Sequence, residues 1–242
     1  SLTGFSMHTD VTAEICQPDA EVQSREQMDI TPSMAKLPTT GWTIDQIATL
    51  ARRHHKTIGI GWVKKTEPLC ENHYSIVTPD GSVAMDFAKI HPFSYGEEHA
   101  HFQGGTTLCT GTLGEFRTGL GICYDLRFPE QFRAMVPEAE IFIVPANWPE
   151  SRVSHWKALL AARAIENQCY VAGVNCCGDM DGRYYSGDSG LYAPDGSLLV
   201  PTKEIRLTDA LCKEEKLLVY DIQNDVAKIR KAFPVLQDQK EM

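Results

Sequence analysis

The sequence predicts an α/β fold with a mixed sheet or two sheets, and with helices covering the outside. Three observations lead there. Strand-like runs joined as hairpins fill one stretch of the chain, strand and helix patterns alternate in another, and the most apolar runs, Phe116 to Cys123 and Ile141 to Val144, are near-continuous, as in strands buried on both faces. With 242 residues the chain can bury one sizeable core, and no linker divides it, so a single domain over 1–242 is expected.

Up to about residue 42 the sequence is irregular, with Pro18, Pro32 and Pro38 and no sustained period, and reads as loop and surface excursion. Thr43 offers an N-cap to a helix with Ile44, Ile47, Ala48 and Ala51 on one face and His54, His55 and Lys56 at its C-terminal end. Strands follow at Ile58 to Val63, His73 to Thr78 and Val83 to Ile90, the last two joined by Pro79-Asp80-Gly81. Pro92 to Gly105 lacks a period and reads as a loop. Phe116 to Cys123 and Ile141 to Val144 are buried strands with a short helix, Pro129 to Met135, between them. Ser154 caps a long helix through Asn167, and Cys169 to Val174 is the strand after it. A second Pro-Asp-Gly turn, 194–196, links strands Ser189 to Ala193 and Ser197 to Val200; Leu217 to Ile222 is the last strand, and the tail beyond Asp225 is polar, with helix-forming character.

The formal net charge of −9 and the lack of Lys/Arg clusters argue against nucleic acid or an anionic membrane as partner. No run approaches 18 apolar residues, and SLTGFSMHTD has neither the basic start nor the apolar core of a signal peptide, so a cytoplasmic protein is expected. In that setting the eight cysteines read as reduced thiols. No C-x-x-C occurs, and Cys176-Cys177 lacks a second ligand pair at zinc spacing, so a structural metal site is not expected.

Cys123 is the first candidate for chemistry. It ends a buried strand, GLGIC, where the chain turns into helix, and helix N-terminal amides there favour a thiolate and can receive an oxyanion. A small core residue is the plainer account of the same pattern. Lys89 continues the row Val83, Met85, Phe87 by period 2 and so points inward, where an amine can move protons or stabilise negative charge; snorkelling to solvent is its alternative. Glu97 and Glu98 lie just downstream and can balance its charge, or stand as solvated loop acids. Gly187-Asp188-Ser189-Gly190 matches the string around a trypsin-like nucleophile, but no Ala-Ala-His-Cys segment accompanies it. A papain-like pairing of Cys123 with His91, His99, His101 or His155 lacks the local sequence of such enzymes.

Several segments together carry a resemblance: Phe87-Ala88-Lys89-Ile90-His91-Pro92-Phe93, the loop Gly96 to Gly105, Gly121-Ile122-Cys123-Tyr124-Asp125-Leu126-Arg127-Phe128-Pro129, Pro145-Ala146-Asn147-Trp148-Pro149, His155-Trp156 with Arg163 to Gln168, and Ser186-Gly187-Asp188-Ser189. In this order and spacing they resemble the signatures of the nitrilase superfamily of carbon-nitrogen hydrolases, closest to its bacterial omega-amidase branch.

The resemblance implies a four-layer α-β-β-α sandwich and a Glu-Lys-Cys triad. It makes Cys123 the nucleophile, Lys89 the triad lysine and Glu98 the second carboxylate, with Glu97 as the fallback in register. Tyr124 would give its backbone N–H to the oxyanion hole, Asn147 and Trp148 would line the pocket, and Arg152 would pair with the carboxylate of an acidic amide. Arg127 would brace the elbow. Cleavage of a small linear amide, an omega-amide of a 2-oxo dicarboxylic acid, through a Cys thioester with release of ammonia is then expected, with no cofactor or metal and with a homodimer as a further expectation. Nitrile or N-carbamoyl substrates are the enzyme alternatives. The family's triad Glu lies in a Pro-Glu segment ahead of the Thr-Gly-Phe found here at Thr3-Gly4-Phe5, so the domain reads as N-terminally truncated, and a catalytically inactive fragment or pseudoenzyme is the alternative from another class.

Overall fold

The structure is a computed structural model that describes residues 42–136, 138–180, 182–206 and 215–238; the opening stretch with Thr3-Gly4-Phe5 lies outside the described residues. The chain divides into two units, Ser1–Thr107 and Leu108–Met242.

In the first unit, helix α1 (Trp42–His54) carries Asp45 in its first turn and Arg52, Arg53 and His54 in its last, which suits the helix dipole. It starts ahead of Thr43, which therefore lies inside the first turn. Ile47, Ala48 and Ala51 are buried against Ile60, Trp62 and Val77 of the sheet beneath. That sheet is an antiparallel meander of β1 (Ile58–Lys64), β2 (Glu71–Val77) and β3 (Val83–Ala88). Gly81, at φ 84°, closes the second hairpin in a conformation that side chains resist. On β3, Met85 and Phe87 are buried, whereas Val83 is exposed at the strand's start and leaves the expected inward row. The strand ends at Ala88, two residues short of Ile90. Lys89 N–H still donates to Asn72 O, and Lys89 O accepts from Gly105 N, so the chain here changes partners. Pro92 to Gly105 holds two short 3-10 turns, Ser94–Gly96 and Glu98–Ala100.

The second unit begins with a hairpin turned by Gly114 at φ 58°; its first strand, β4 (Thr110–Leu113), is absent from the sequence reading, and its second, β5 (Phe116–Leu120), is the expected strand ending three residues early. A 3-10 turn, Cys123–Arg127, leads to α2 (Pro129–Met135), where proline at the first helical position lacks only an N–H that would be unpaired there. Strand β6 (Ile141–Ala146), helix α3 (Val153–Asn167) and strand β7 (Tyr170–Asn175) follow. Arg152, the end of a 3-10 turn running straight into α3, holds the N-cap position expected of Ser154. A second unforeseen hairpin pairs β8 (Cys177–Met180) with β9 (Arg183–Ser186). Then come β10 (Gly190–Tyr192), β11 (Lys203–Arg206), β12 (Lys216–Val219) and helix α4 (Val226–Ala232). The expected strand Ser197 to Val200 is reduced to one bridge, Leu198 to Tyr192.

The five-stranded sheet has the order β10-β7-β6-β5-β4 and is mixed: β5, β6 and β7 are parallel, and both edges are antiparallel. Trp156, Leu160 and Ala164 of α3 pack with Phe142, Val144 and Val171 in one core. Gly173 permits that close seat, since a Cβ there would come within 2.5 Å of Leu160.

Among the described cysteines, Cys109, Cys123, Cys169, Cys176 and Cys177 are free thiols, while Cys70 is disulfide-bonded and departs from the reduced reading. Among the described residues no group of three or more His, Cys, Asp or Glu is placed to hold a metal ion, and no helix is long and apolar enough to cross a membrane.

Candidate active site

The parallel strands of the second unit all point their carboxyl ends the same way, and the residues that follow them gather at one edge of the sheet, where open α/β sheets bind ligands. Cys123 comes three residues after β5. It sits at φ 48°, a left-handed conformation uncommon for a side-chain residue and costing on the order of 1–3 kcal/mol. The surrounding turn holds it there: Asp125, fully buried, accepts the Ile122 N–H at 3.0 Å, and Asp125 N–H returns to Ile122 O at 3.0 Å. Its thiol donates to Asn147 O at 3.8 Å. Tyr124 is the next residue of the turn, its ring set edge-on to Phe128.

Asn147 and Trp148 follow β6. Trp148 N–H donates to Asn175 Oδ1 at 2.7 Å, and Asn175 Nδ2 donates to Trp148 O at 2.9 Å and Gly187 O at 2.7 Å. The Trp148 indole is 4% exposed, donates to Arg152 O at 2.8 Å, and lies between Trp156 and the Arg127 guanidinium, 4.7 Å above its ring. Trp148 thus braces the turn that carries Asn147 and Arg152. Arg127 also approaches His155, with Nη2 at 3.4 Å from Nδ1, and braces the elbow from outside.

In the first unit, Lys89 and Glu98 form a buried pair. Nζ is 2.6 Å from Oε2, with the side chains 4% and 0% exposed. Phe93 N–H donates to the same oxygen at 2.6 Å, and Asn72 Nδ2 donates to Oε1 at 3.2 Å. Three donors converge on this one buried carboxylate, so its oxygens are matched by hydrogen bonds as a buried polar group requires. Glu97, the neighbour in register, is exposed and occupies a left-handed position between the two 3-10 turns.

Lys89 and Glu98 are thus brought together in the first unit, while Cys123, Tyr124, Asn147, Trp148 and Arg152 share one sheet edge in the second. The sequence reading passed over Asn72, Asn175 and Asp125. Each is a short polar residue at the end of an apolar segment, in a place where only a hydrogen-bonding task explains its burial or half-burial.

Outside this region, His73 is buried between two carboxylates, with Nδ1 2.8 Å from Asp86 and Nε2 3.0 Å from Glu71. Burial works to raise both carboxyls, but hydrogen bonds from His73, joined by Ser75 on Asp86 and Gln103 on Glu71, outweigh it and hold them below their ordinary values.

The sequence profile of the carbon-nitrogen hydrolases matches residues 13–231, and the chain belongs to that family. Its architecture is the family's nitrilase-like α/β fold with mixed sheets. A CN-hydrolase superfamily protein of Xanthomonas campestris, whose crystal structure has an arsenic adduct in the active site, superposes with a TM-score of 0.73 at 32% identity, over 84% of this chain and 77% of that one. Among characterised relatives, the 2-oxoglutaramate amidase of Bacillus subtilis (strain 168) is 32% identical over 78% of this chain and 70% of its own length. Omega-amidase YafV of Escherichia coli (strain K12) is 36% identical over 73% of this chain and 66% of its own. The chain therefore falls among the amidase-type carbon-nitrogen hydrolases and spans about two-thirds of the length of these relatives.

Proposed function

We propose that this chain, as one carbon-nitrogen hydrolase domain, hydrolyses a small linear amide, an omega-amide of a 2-oxo dicarboxylic acid, with Cys123, Lys89 and Glu98 as its catalytic residues. The observation that carries the reading is the elbow. A half-buried thiol held in a left-handed backbone where a 3-10 turn follows the carboxyl edge of parallel strands has the strand-to-turn setting of a nucleophile elbow.

In this reading a glutamate base takes the Cys123 proton, and the sulfur attacks the amide carbon. The base is the Glu of the Pro-Glu segment that the family resemblance places ahead of Thr3-Gly4-Phe5. The oxyanion is held by the Lys89 ammonium and the Tyr124 N–H. Collapse of the tetrahedral species breaks the C–N bond, and the nitrogen leaves as ammonia with the proton from the base. Water, deprotonated by the same base, then cleaves the thioester to acid and free thiol. Glu98 pairs with Lys89 and aims it. Asn147 lines the pocket on the turn that Trp148 supports, and Arg152 pairs with the distal carboxylate of the substrate. No step requires a metal or organic cofactor. A cytoplasmic setting, expected from the sequence, and pairing into a homodimer, expected from the family resemblance, belong to the same proposal.

The test is ammonia release from a panel of amides by protein carrying the upstream Pro-Glu segment, alongside Cys123→Ala, with intact mass recorded during turnover. Omega-amides of 2-oxo acids should be cleaved and should leave an acyl adduct on Cys123; ammonia release that survives Cys123→Ala overturns the assignment.

A further inference from the structure

The Gly187-Asp188-Ser189-Gly190 string, which the proposed reaction leaves without a task, stands at the end of β7 and holds Asn175. Ser189 Oγ accepts from Asn175 N–H at 2.9 Å and donates to Asn175 O at 3.2 Å, and the buried Trp156 anchors the string by donating to Asp188 O at 2.9 Å. The Asn175 side chain accepts from Trp148 N–H and donates to Trp148 O and Gly187 O, so both amide hydrogens and Oδ1 are engaged within the protein. Asn175 therefore bears on the site through the Asn147–Trp148 peptide and not by touching substrate. That peptide is trans, and in a planar trans peptide the N–H and C=O point in opposite directions. Fixing Trp148 N–H on Asn175 Oδ1 at 2.7 Å turns the carbonyl away from Asn175 and toward the nucleophile, where Asn147 O lies 3.8 Å from Cys123 Sγ and accepts its S–H.

We propose that the Asn147 main-chain carbonyl is the acceptor for the leaving nitrogen of the substrate, and that Asn175 is the residue that positions it. The inference rests on the amidase reading. Once the base has taken the thiol proton, Asn147 O loses that donor and faces the lone pairs of sulfur. An N–H of the substrate carboxamide, brought up to the sulfur for attack, replaces it. The S–C bond then forms and the C–N bond breaks; the nitrogen keeps its two hydrogens, gains a third from the base and leaves as ammonia, with the carbonyl accepting one N–H throughout. An ester sets the lone pairs of its alkoxy oxygen against the same carbonyl and makes no such bond. A carbonyl held in this direction thus selects amides over esters of the same acid, because the group is matched only by a donor.

The test is the ratio of kcat/KM for a primary omega-amide to that for the methyl ester of the same acid, in protein carrying the upstream segment. A loss of folding alone lowers both rates together and leaves this ratio where it was. Asn175→Ala should cut the ratio at least about tenfold, with most of the fall in the amide rate. Ser189→Ala keeps the side-chain contacts to Trp148 but releases the main chain behind them; it should cut the ratio about threefold or more, and decides the matter if Asn175→Ala does not fold. Tyr170→Phe, which gives up a bond to Asp225 at the far end of β7, is the control for lost stability and should leave the ratio unchanged. A wild-type ratio kept in Asn175→Ala, or in Ser189→Ala where only that variant folds, overturns the inference while the amidase reading stands, as does an equal fall in Tyr170→Phe. A wild-type protein that cleaves no amide overturns the amidase reading and the role of the carbonyl with it.

Discussion

The buried pair in the first unit sets a sharp demand on stability. In Glu98→Gln the amide oxygen can still accept from Phe93 N–H, and Asn72 can turn its amide to meet the new NH2, so the loss is confined to the charge facing Lys89. With the two side chains 4% and 0% exposed, removing one partner strands the other without solvent, a cost of about 3–5 kcal/mol. For a chain of this size, roughly 2–4 °C of Tm per kcal/mol converts that to a fall of about 6–20 °C. Lys89→Met should cost a similar amount, because it leaves a buried carboxylate facing only neutral donors. The double variant Lys89→Met/Glu98→Gln buries no charge and should be more stable than the sum of the singles by at least about 2 kcal/mol. Thermal and urea unfolding of the four proteins measure this without any substrate. Single losses under about 1 kcal/mol that simply add would show that the two side chains do not share a dry site, and would remove the basis for a fixed ammonium at position 89.

Arg152→Ala should raise KM for amides with a distal carboxylate at least tenfold more than for neutral amides of equal length; equal changes in the two would dismiss its pairing role. Asn175→Ala removes three hydrogen bonds around the Asn147–Trp148 peptide and should cost about 2–4 kcal/mol by urea unfolding, with kcat falling more than KM changes; an unaltered midpoint would show the turn to be held by other means. The network at His73 predicts a particular acid response. Glu71 and Asp86 have lowered values in the folded chain, so the stability they add is complete above their ordinary 4.5 and 3.8 and is lost as pH falls through the lowered values. The gap between wild type and His73→Gln should therefore be larger at pH 5 than at pH 3, and an equal gap at both would contradict this.

The elements that the sequence announced are those with a strong period or a long apolar run. Pro129–Met135 is a helix with the bounds expected, and the α1 face of Ile47, Ala48 and Ala51 is the buried one. Missed strands are short and polar: β4, β8, β9 and β11 have four residues each, with charges or glycine where alternation would show, and only their pairing defines them. Leu198 and Val200 look like strand residues but are largely exposed, because only one bridge forms there. In the candidate site, period 2 placed Lys89 on the buried face, since Met85 and Phe87 lead to it. The choice between Glu97 and Glu98 was beyond periodicity. It depends on a left-handed residue at Glu97 that turns the next side chain inward, a backbone event without a sequence signature at a non-glycine position. Asn72 and Asn175 stayed silent for a related reason: an asparagine at a strand end looks the same whether it binds water or a buried peptide.

The backbone angle at position 123 also limits what evolution or an engineer can install there. Glycine and asparagine tolerate a left-handed φ, alanine and serine meet the same strain that cysteine already bears there, and a β-branched side chain is a genuine outlier in that region. A threonine hydroxyl, the nucleophile of other hydrolase designs, is thus closed to this scaffold by geometry before its reactivity is ever tried.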